Sequence, residues 1–586
     1  MHWFDLLLIA AYFAGVAVLG LGLRRRAAES IDSYFLGSKR MSWWLLGASG
    51  MASNVDMAGT MLIASLIFLF GFQGFYIELR GGIVLVMAFY LALLGKWTRR
   101  SNCMTVAEWM QFRFGPGPQG QLPRLVSAVG NLVFFAWTIA YFAAGSTKFL
   151  AVFLPWNPVW CSAGLILIVM LYTACAGLHA VVWTDVLQGG LILFMAVYLA
   201  IKAFITVDPE FIRRTVGESW MSLAPAWEIT PPVGYEAYRL LGVGIIFYLV
   251  KTTIDGLSGA GGYIAQRYFS ARNERECRRL SLFWIVLMAV RWPMVMAVAL
   301  LGLTVRDRID DAEMVLPVVL QEVVPDGLRG LMVVALLAAA MSTYSSIMNA
   351  GASYFARDLY QAFLRRRAGQ RELVLAGAGA TCVCVAVGLL MVYKLPRVND
   401  LWAFLNMGLG VGLLVPNFLR WYWWRLNGYG YAAGVAAGMT AAIAQQSWFP
   451  DLPEYTGFAI VAAVAAAAMI VTSLVTPPVP IATTQEFYER TRPFGCWGPI
   501  RDRLEAASLK SIRRENRRDL TALVLAVPWQ MVLFLLPMTA LLRRWGEAGV
   551  LAILLAVLSL GLRAVWSRED ADRGGASAPQ AAASAG

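Results

Sequence analysis

Apolar blocks of about 20 residues recur along almost the whole chain, and they constrain its fold more than any other feature. A helix of that length crosses the hydrocarbon core of a bilayer, where every backbone N–H and C=O must be paired within the protein. The blocks therefore predict an all-α, polytopic membrane protein. Fifteen spans are predicted, at residues 3–23, 41–70, 75–95, 127–154, 159–178, 185–206, 239–262, 280–304, 328–356, 372–394, 399–422, 430–446, 455–475, 521–541 and 547–566.

Composition agrees with a membrane protein and argues against a nucleic-acid partner. Of the 586 residues 59% are hydrophobic and 15% are charged, whereas soluble proteins carry about a quarter charged residues. The net charge is +13, but the basic residues lie in short loops between apolar blocks rather than on one polar face. The partners we expect are a bilayer and a small solute.

The distribution of Lys and Arg predicts the orientation. With the N-terminus outside, loops and tail on the inner side carry 34 of the 49 Lys and Arg, and outer loops carry 12. Arg24, Arg25 and Arg26 follow the first apolar block, whereas a cleaved signal has its charges before it. We expect a multi-pass protein of the cell inner (plasma) membrane with a cytoplasmic C-terminus.

The loops and breaks predict eight regions. They are an N-terminal helix and basic loop (1–40), a first repeat of helices 2–6 (41–206), an extracellular loop (207–238), a second repeat of helices 7–11 (239–424), helices 12 and 13 (425–475), a basic cytoplasmic linker (476–518), two C-terminal helices (519–567) and a disordered tail (568–586).

Two spans contain residues that disfavour a continuous helix. Residues 47–60 of the second span and 255–262 of the seventh combine glycine with Ser, Asn and Asp, which compete for backbone hydrogen bonds. Paired broken spans, one in each half of the chain, are typical of the binding site of an inverted-repeat transporter. Close helix packing through small residues is the alternative. Asp56 favours a site, because intramembrane charges are costly and usually functional.

The ninth span carries a hydroxyl pair, Ser342 and Thr343, at one level of the helix. Sodium is a hard cation that favours oxygen ligands. Hydroxyls in membrane helices also bond back to their own backbone, so the pair alone leaves both interpretations open.

Three groups of residues together resemble the sodium/solute symporter family, whose members have the LeuT-type fold. They are Trp43-Trp44 with Gly47 and Ala52-Ser53-Asn54; Ala339 to Thr343 with Arg357-Asp358-Leu359-Tyr360; and Gly177, Ala180 to Gln188, Gln266-Arg267-Tyr268 and Asn273. The resemblance covers roughly residues 1–475 and is nearest to the sodium/sugar (glucose, inositol) branch. It implies a 5+5 inverted-repeat core with extra N-terminal and C-terminal helices, and no enzymatic activity.

The resemblance also implies the residues that bind the coupling ion, sodium. The ligands would be the carbonyls of Asn54, Met57 and Ala339 and the hydroxyls of Ser342 and Thr343. Asp185 matches an acidic residue that the family places on the sodium exit path.

The implied solute residues depart from the sugar branch. Glu78, Arg291 and Asn406 stand where that branch has an acid, a lysine and a glutamine, and Gly261-Gly262 replace a polar pair. Asp56 and Ser258, at the two predicted breaks, complete the candidate set. Glu78 could instead cap a loop at the outer interface, and Arg291 could form a structural ion pair.

The function that follows is sodium-coupled import of a small polar solute by alternating access, with a sugar, polyol or sugar acid as the favoured class. Symport of a carboxylate or an amino acid is the alternative. A transporter-like sensor is a further one, motivated by the linker 476–518.

Overall fold

The computed structural model describes residues 3–27, 41–103, 105–259, 261–392, 397–450 and 452–582. These residues form helices and their connections, and the described part of the chain contains no strand. The predicted basic loop lies mostly outside the described residues, because the first gap in the described chain covers 28–40. The helices before the external loop are Trp3–Ala27, Trp43–Asn54, Met57–Phe70, Phe72–Ile77, Val86–Phe89, Gly95–Ser101, Val106–Phe114, Pro118–Phe153 and Pro158–Thr206, with π-helical Tyr90–Leu94.

The second half repeats the all-helical pattern and adds π-helical turns. Its long helices are Leu241–Ser258, Gly262–Ser270, Glu274–Met288, Arg291–Thr304, Leu328–Ser353, Gln370–Val392, Gly410–Tyr422, Gly428–Trp448, Glu454–Val475, Ala506–Leu541 and Trp545–Ala582. Shorter helices are Pro209–Val216, Val315–Glu322, Val398–Ala403, Ile481–Thr491 and Gly498–Arg501, and the π-helical segments of this half are Tyr354–Leu364 and Phe404–Leu409. The 3₁₀ turns of the described chain are Glu78–Arg80 in the first half and Glu218–Met221, Glu236–Tyr238, Arg306–Arg308 and Ala312–Met314 further along.

The number of helices able to cross a membrane is smaller than the predicted fifteen when each is judged by length and hydropathy. Ten helices of the described chain qualify, and the bent pair Trp43–Asn54 and Met57–Phe70 makes eleven. The other four predicted spans fall on Trp3–Ala27, the interrupted segment 72–101, the first part of Pro158–Thr206 and Gly428–Trp448. Trp3–Val16 and Pro158–Leu171, within the first and fifth predicted spans, are apolar as well, so ten or eleven is a count over the described residues and fifteen stays a prediction.

The predicted fifth and sixth spans lie in one helical element, Pro158–Thr206, rather than in two separate helices. Ser162 bonds Ser146, which also contacts Tyr344, whereas Asp185 bonds Ser342. A straight helix would separate Ser162 from Asp185 by about 35 Å, which is more than these contacts allow. The element is therefore bent between Ser162 and Asp185, and it contains both predicted spans.

Small residues let the broken second span pack closely on its neighbours. A Cβ atom on Gly50 would lie 2.4 Å from the ring of Trp284, and one on Gly145 would lie 2.3 Å from Ala58. Close packing, the alternative interpretation of the small residues, is therefore part of their role.

The last helix extends into the region predicted as a tail. The last helix, Trp545–Ala582, continues through most of residues 568–586, and 583–586 lie outside the described residues. Alanine has the highest helix propensity, so the alanine-rich tail can extend the preceding helix.

Candidate functional site

The second span is broken at the place the sequence predicts. Its halves meet at Val55 and Asp56 with a bend of 60°. The Asp56 side chain accepts the backbone N–H of Gly59 and so caps the second half. The seventh span is interrupted as well, between Leu241–Ser258 and Gly262–Ser270. The first span of each predicted repeat therefore carries a break, which matches an inverted-repeat architecture.

The hydroxyl pair of the ninth span lies directly against this break. The Thr343 hydroxyl donates to the carbonyl of Ser53 at 3.0 Å and to that of Ala339 at 3.1 Å. The Ser342 hydroxyl donates to Asp185 at 2.5 Å and lies 3.4 Å from the Ser53 hydroxyl. These groups are buried, so their oxygens form one polar cluster inside an apolar protein.

The break frees four carbonyls, those of Ala52, Ser53, Asn54 and Val55. The Ser53 carbonyl accepts from Thr343, and the Asn54 carbonyl accepts from Arg291 at 2.8 Å. Among the described residues no donor reaches the carbonyls of Ala52 and Val55.

This arrangement changes the predicted carbonyl ligands. Met57 is the first residue of a regular helix, so its carbonyl faces the amide one turn further on. The Asn54 carbonyl is occupied by Arg291. The carbonyls without a donor belong to neighbouring residues, Ala52 and Val55, because the last helical hydrogen bond of the first half joins the Val55 N–H to the Met51 carbonyl.

Asp185 lies next to the hydroxyl pair. It is the acidic residue that the family resemblance assigns to the sodium exit path. Its carboxylate is fully buried and accepts from Ser342 and Ser49, and it lies 3.3 Å from Arg267. The same guanidinium donates to the Ser53 hydroxyl at 2.6 Å. Arg267 belongs to one of the motifs that carry the family resemblance, but the sequence predicted no role for it. It neutralises the acid next to the cluster.

A cavity of about 260 Å³ opens beside the break. All five predicted solute residues line it: Asp56, Glu78, Ser258, Arg291 and Asn406. From the level of Glu78 the lining extends along the eleventh span to Asn417. Positions far apart in the chain are thus brought to one polar chamber, although their contact with solute stays a prediction.

The end of the chamber at Glu78 is closed by a buried ionic cluster. Glu78 and Arg80 are both fully buried and lie 3.1 Å apart, and Arg80 pairs with Glu454 at 2.6 Å. Tyr238 and Asn399 add hydrogen bonds to Arg80. Both side chains are thus buried rather than exposed, and the role of Glu78 toward the solute stays a prediction.

Arg291 forms the ion pair considered as its alternative role, and it also lines the cavity. One guanidinium nitrogen lies 3.8 Å from Asp56, another bonds the Asn54 carbonyl, and Nε has no partner among the described residues. Arg291 thus links the broken span to the solute chamber.

Lys251 is a cavity residue that sequence reasoning missed. Its ammonium donates to the Arg80 carbonyl at 2.8 Å and lies 3.4 Å from both Asp255 and Asn406. A lysine within an apolar span, one turn before an aspartate, was the available signal.

The third span has a break of its own, which the sequence prediction lacked. Between Gly81 and Leu85 the helix is lost, and Val84 adopts a φ of 55°. Lys251 and Thr252 bond the carbonyls just before this break, and Gln530 bonds the Val84 carbonyl at 3.1 Å. The adjacent glycines, Gly81 and Gly82, are the sequence feature that could have predicted this break.

Comparison with known proteins gives a matching family model, similar sequences and similar structures. A sequence model of the Sodium:solute symporter family matches residues 34–438. A sodium/mannose cotransporter of Bos taurus is 28% identical over 75% of this chain and 79% of its own length. Sodium/glucose cotransporter 2 of Rattus norvegicus is 29% identical over 65% of this chain and 62% of its own length. The structure of a Na+-coupled sialic acid symporter aligns with a TM-score of 0.67, 19% identity, and coverage of 82% of this chain and 99% of that one.

Proposed function

Because the chain belongs to the sodium:solute symporter family, we propose that it imports a small polar solute of the sugar, polyol or sugar-acid class together with sodium. Family membership confirms the predicted sodium-coupled symport, and the fold similarity confirms the predicted LeuT-type architecture. The observation that carries the proposal is the contact of Thr343 with the broken second span, beside a polar chamber.

The sodium site that fits this contact uses five oxygens. The carbonyls of Ala52 and Val55 lack donors, and the Thr343 hydroxyl stands next to the Ala339 carbonyl. Ser342 supplies the second hydroxyl. Neutral oxygens suit a monovalent hard cation, since each contributes a lone pair without adding charge. Sodium at this position would rotate both hydroxyls away from their present acceptors.

The chemistry of the chamber supports a solute rich in hydroxyl groups. One carboxylate oxygen of Glu78 has no donor among the described residues and can accept a hydroxyl. Lys251 and Asn406 supply donor groups in the lining of the same cavity. Relatives named for mannose and glucose transport point to the same class.

Charge balance limits the solutes. Asp56, Glu78 and Asp255 face the cations Lys251 and Arg291, and Glu78 is also paired with Arg80. The chamber is therefore close to neutral, which favours an uncharged solute over a multiply charged one. A sugar acid could still use the free Nε of Arg291, because a guanidinium binds carboxylates well.

Orientation is part of the proposal. We place the N-terminus outside and the linker 476–518 in the cytoplasm of a cell with this protein in its plasma membrane, because basic residues concentrate on that side. Cys496 is exposed on the linker, so its labelling reports on which side of the membrane the linker lies. A membrane-impermeant maleimide should label Cys496 only after permeabilisation, and equal labelling of intact cells would reverse the orientation.

Uptake into proteoliposomes tests the function. Purified protein is reconstituted with and without an inward sodium gradient and offered labelled sugars, polyols, sugar acids and amino acids. We expect gradient-dependent accumulation of one solute class and sodium-dependent thermal stabilisation by the same solute. Binding without flux would instead identify a sensor, and accumulation of an amino acid alone would reassign the solute.

A further inference from the structure

A groove lies apart from the solute chamber, between the basic linker and the penultimate helix, Ala506–Leu541. It encloses about 570 Å³. Tyr488, Phe494 and Arg501 of the linker form one wall. The other wall is one face of the helix, where Leu509, Arg513, Arg517, Leu520 and Val524 recur at helical spacing.

The groove changes from basic to apolar along its length. Arg513 and Arg517 occupy two successive turns, and Leu520, Val524 and Leu525 occupy the turns that follow. Val524 is 72% exposed, so the apolar end is open to its surroundings. Because the span predicted from the sequence begins at residue 521, the arginines lie at the membrane surface and the apolar end lies in the hydrocarbon.

The two arginines have no acidic partner in the described part of the chain. Glu515, on the same helix, is engaged elsewhere by Lys96 and Arg100. Arg513 and Arg517 are exposed and form no ion pair with another described residue, which leaves two guanidinium groups free on one face. Arg501 bonds the Tyr488 hydroxyl at 3.0 Å and adds a third charge to the opposite wall.

A buried amide adds a second, independent observation. Asn516 lines the groove between the two arginines and is 8% exposed. Its Oδ1 has no partner among the described residues. A buried amide oxygen without a donor is unfavourable, so a donor supplied by an occupant would stabilise the site.

We propose that this groove binds an anionic phospholipid of the basic-side leaflet. The phosphate lies between Arg513, Arg517 and Arg501, since guanidinium groups bind phosphate with paired hydrogen bonds. Asn516 lies beside this position, and one acyl chain lies along Leu520, Val524 and Leu525. The groove lies outside residues 34–438, the part matched to the family. It is therefore a feature of the C-terminal extension.

The test uses full-length protein in vesicles of phosphatidylcholine with and without phosphatidylglycerol. Lipid retention is measured by native mass spectrometry, and stability by thermal unfolding. For the wild type we expect a retained phosphatidylglycerol and a higher Tm in its presence. Arg513→Gln with Arg517→Gln should retain roughly tenfold less and lose the Tm shift. Arg503→Gln with Lys510→Gln, exposed basic residues outside the groove, is the matched control and should behave like the wild type.

Leu520→Ser with Val524→Ser tests the apolar end and should also weaken retention. Equal retention by wild type and the double arginine variant would overturn the site. An equal loss of lipid retention in the control variant would mean that general surface charge causes the effect. That result would also overturn the site. The same Tm shift with inorganic phosphate or soluble glycerol phosphate would show an anion site without a lipid. Solute uptake is not the readout, so a wrong solute assignment leaves this test unaffected.

Discussion

The hydroxyl of Thr343 lies 3.0 Å from the carbonyl oxygen of Ser53, although 290 residues separate them. This hydrogen bond joins the ninth helix to the one place where the second span has lost its own backbone bonds. A cation bound here would hold two parts of the core together, and its release would free them. Coupling requires such a differential contact, because a ligand shifts only an equilibrium whose states it binds unequally.

Replacing either hydroxyl of the pair should weaken sodium binding. We expect Ser342→Ala and Thr343→Ala to raise the sodium concentration for half-maximal uptake roughly tenfold, equivalent to about 1.4 kcal/mol. Sodium titration of solute uptake measures this. Ser353→Ala is the control, since its hydroxyl bonds only the Ala350 carbonyl of its own helix. Unchanged sodium dependence in both variants would count against the proposed site.

The pair of Asp56 and Arg291 should show strong energetic coupling. Asp56→Asn leaves Arg291 buried without its counter-charge and should cost about 3 kcal/mol of stability or more, with a large loss of uptake. A double-mutant cycle with Arg291→Gln, read by thermal unfolding and uptake, should give non-additive effects. Additive effects would mean that the two side chains act separately.

Arg291→Lys should change solute preference while retaining a positive charge. Lysine lacks the planar fork that suits a carboxylate, so uptake of sugar acids should fall relative to that of neutral sugars. Competition between the two classes in counterflow experiments measures the ratio. An unaltered ratio would restrict Arg291 to its ion pair.

Lys251→Met should raise the KM for solute about tenfold or more and leave the protein in the membrane, because it removes a donor from the lining of the chamber. KM and kcat from initial uptake rates separate binding from turnover. Lys202→Met, on the sixth span and away from the chamber, is the control. A change in kcat alone would assign Lys251 to the third-span break rather than to the solute.

Breaking the ion pair of Arg80 with Glu454 should favour opening of the closed end of the chamber. We expect Glu454→Gln to increase labelling of a cysteine placed at Leu405, a chamber residue, by an impermeant thiol reagent added outside. Labelling of Leu405→Cys alone gives the baseline. No increase would show that other contacts, such as the stacked rings of Tyr141 and Trp402, hold that end closed.

Much of the candidate site was predictable because burying polar groups in lipid is costly. Asp56, Ser342 and Thr343 stand out in apolar surroundings, and the structure places them together. Lys251 offered the same signal, a charge within an apolar span, but was not among the predicted site residues. The break at Gly81 was overlooked because two glycines near a predicted span end resemble an ordinary turn.

The carbonyl ligands illustrate what the sequence leaves open. Every residue has a carbonyl, so residue type cannot tell which oxygen is free. The Asn54 carbonyl is occupied only because Arg291, 237 residues away, reaches it. The Ala52 and Val55 carbonyls lack donors only because the helix ends where it does.

The sequence by itself determined the helical membrane architecture, the family and the two principal breaks, because hydropathy and glycine act locally along a chain confined to lipid. The tertiary structure decided which oxygens face the cation position, that Glu78 and Arg80 are buried at the closed end, and that Gln530 of the C-terminal extension supports the third span. These properties depend on contacts between residues distant in sequence. Such contacts arise from how helices pack, and local composition does not specify them.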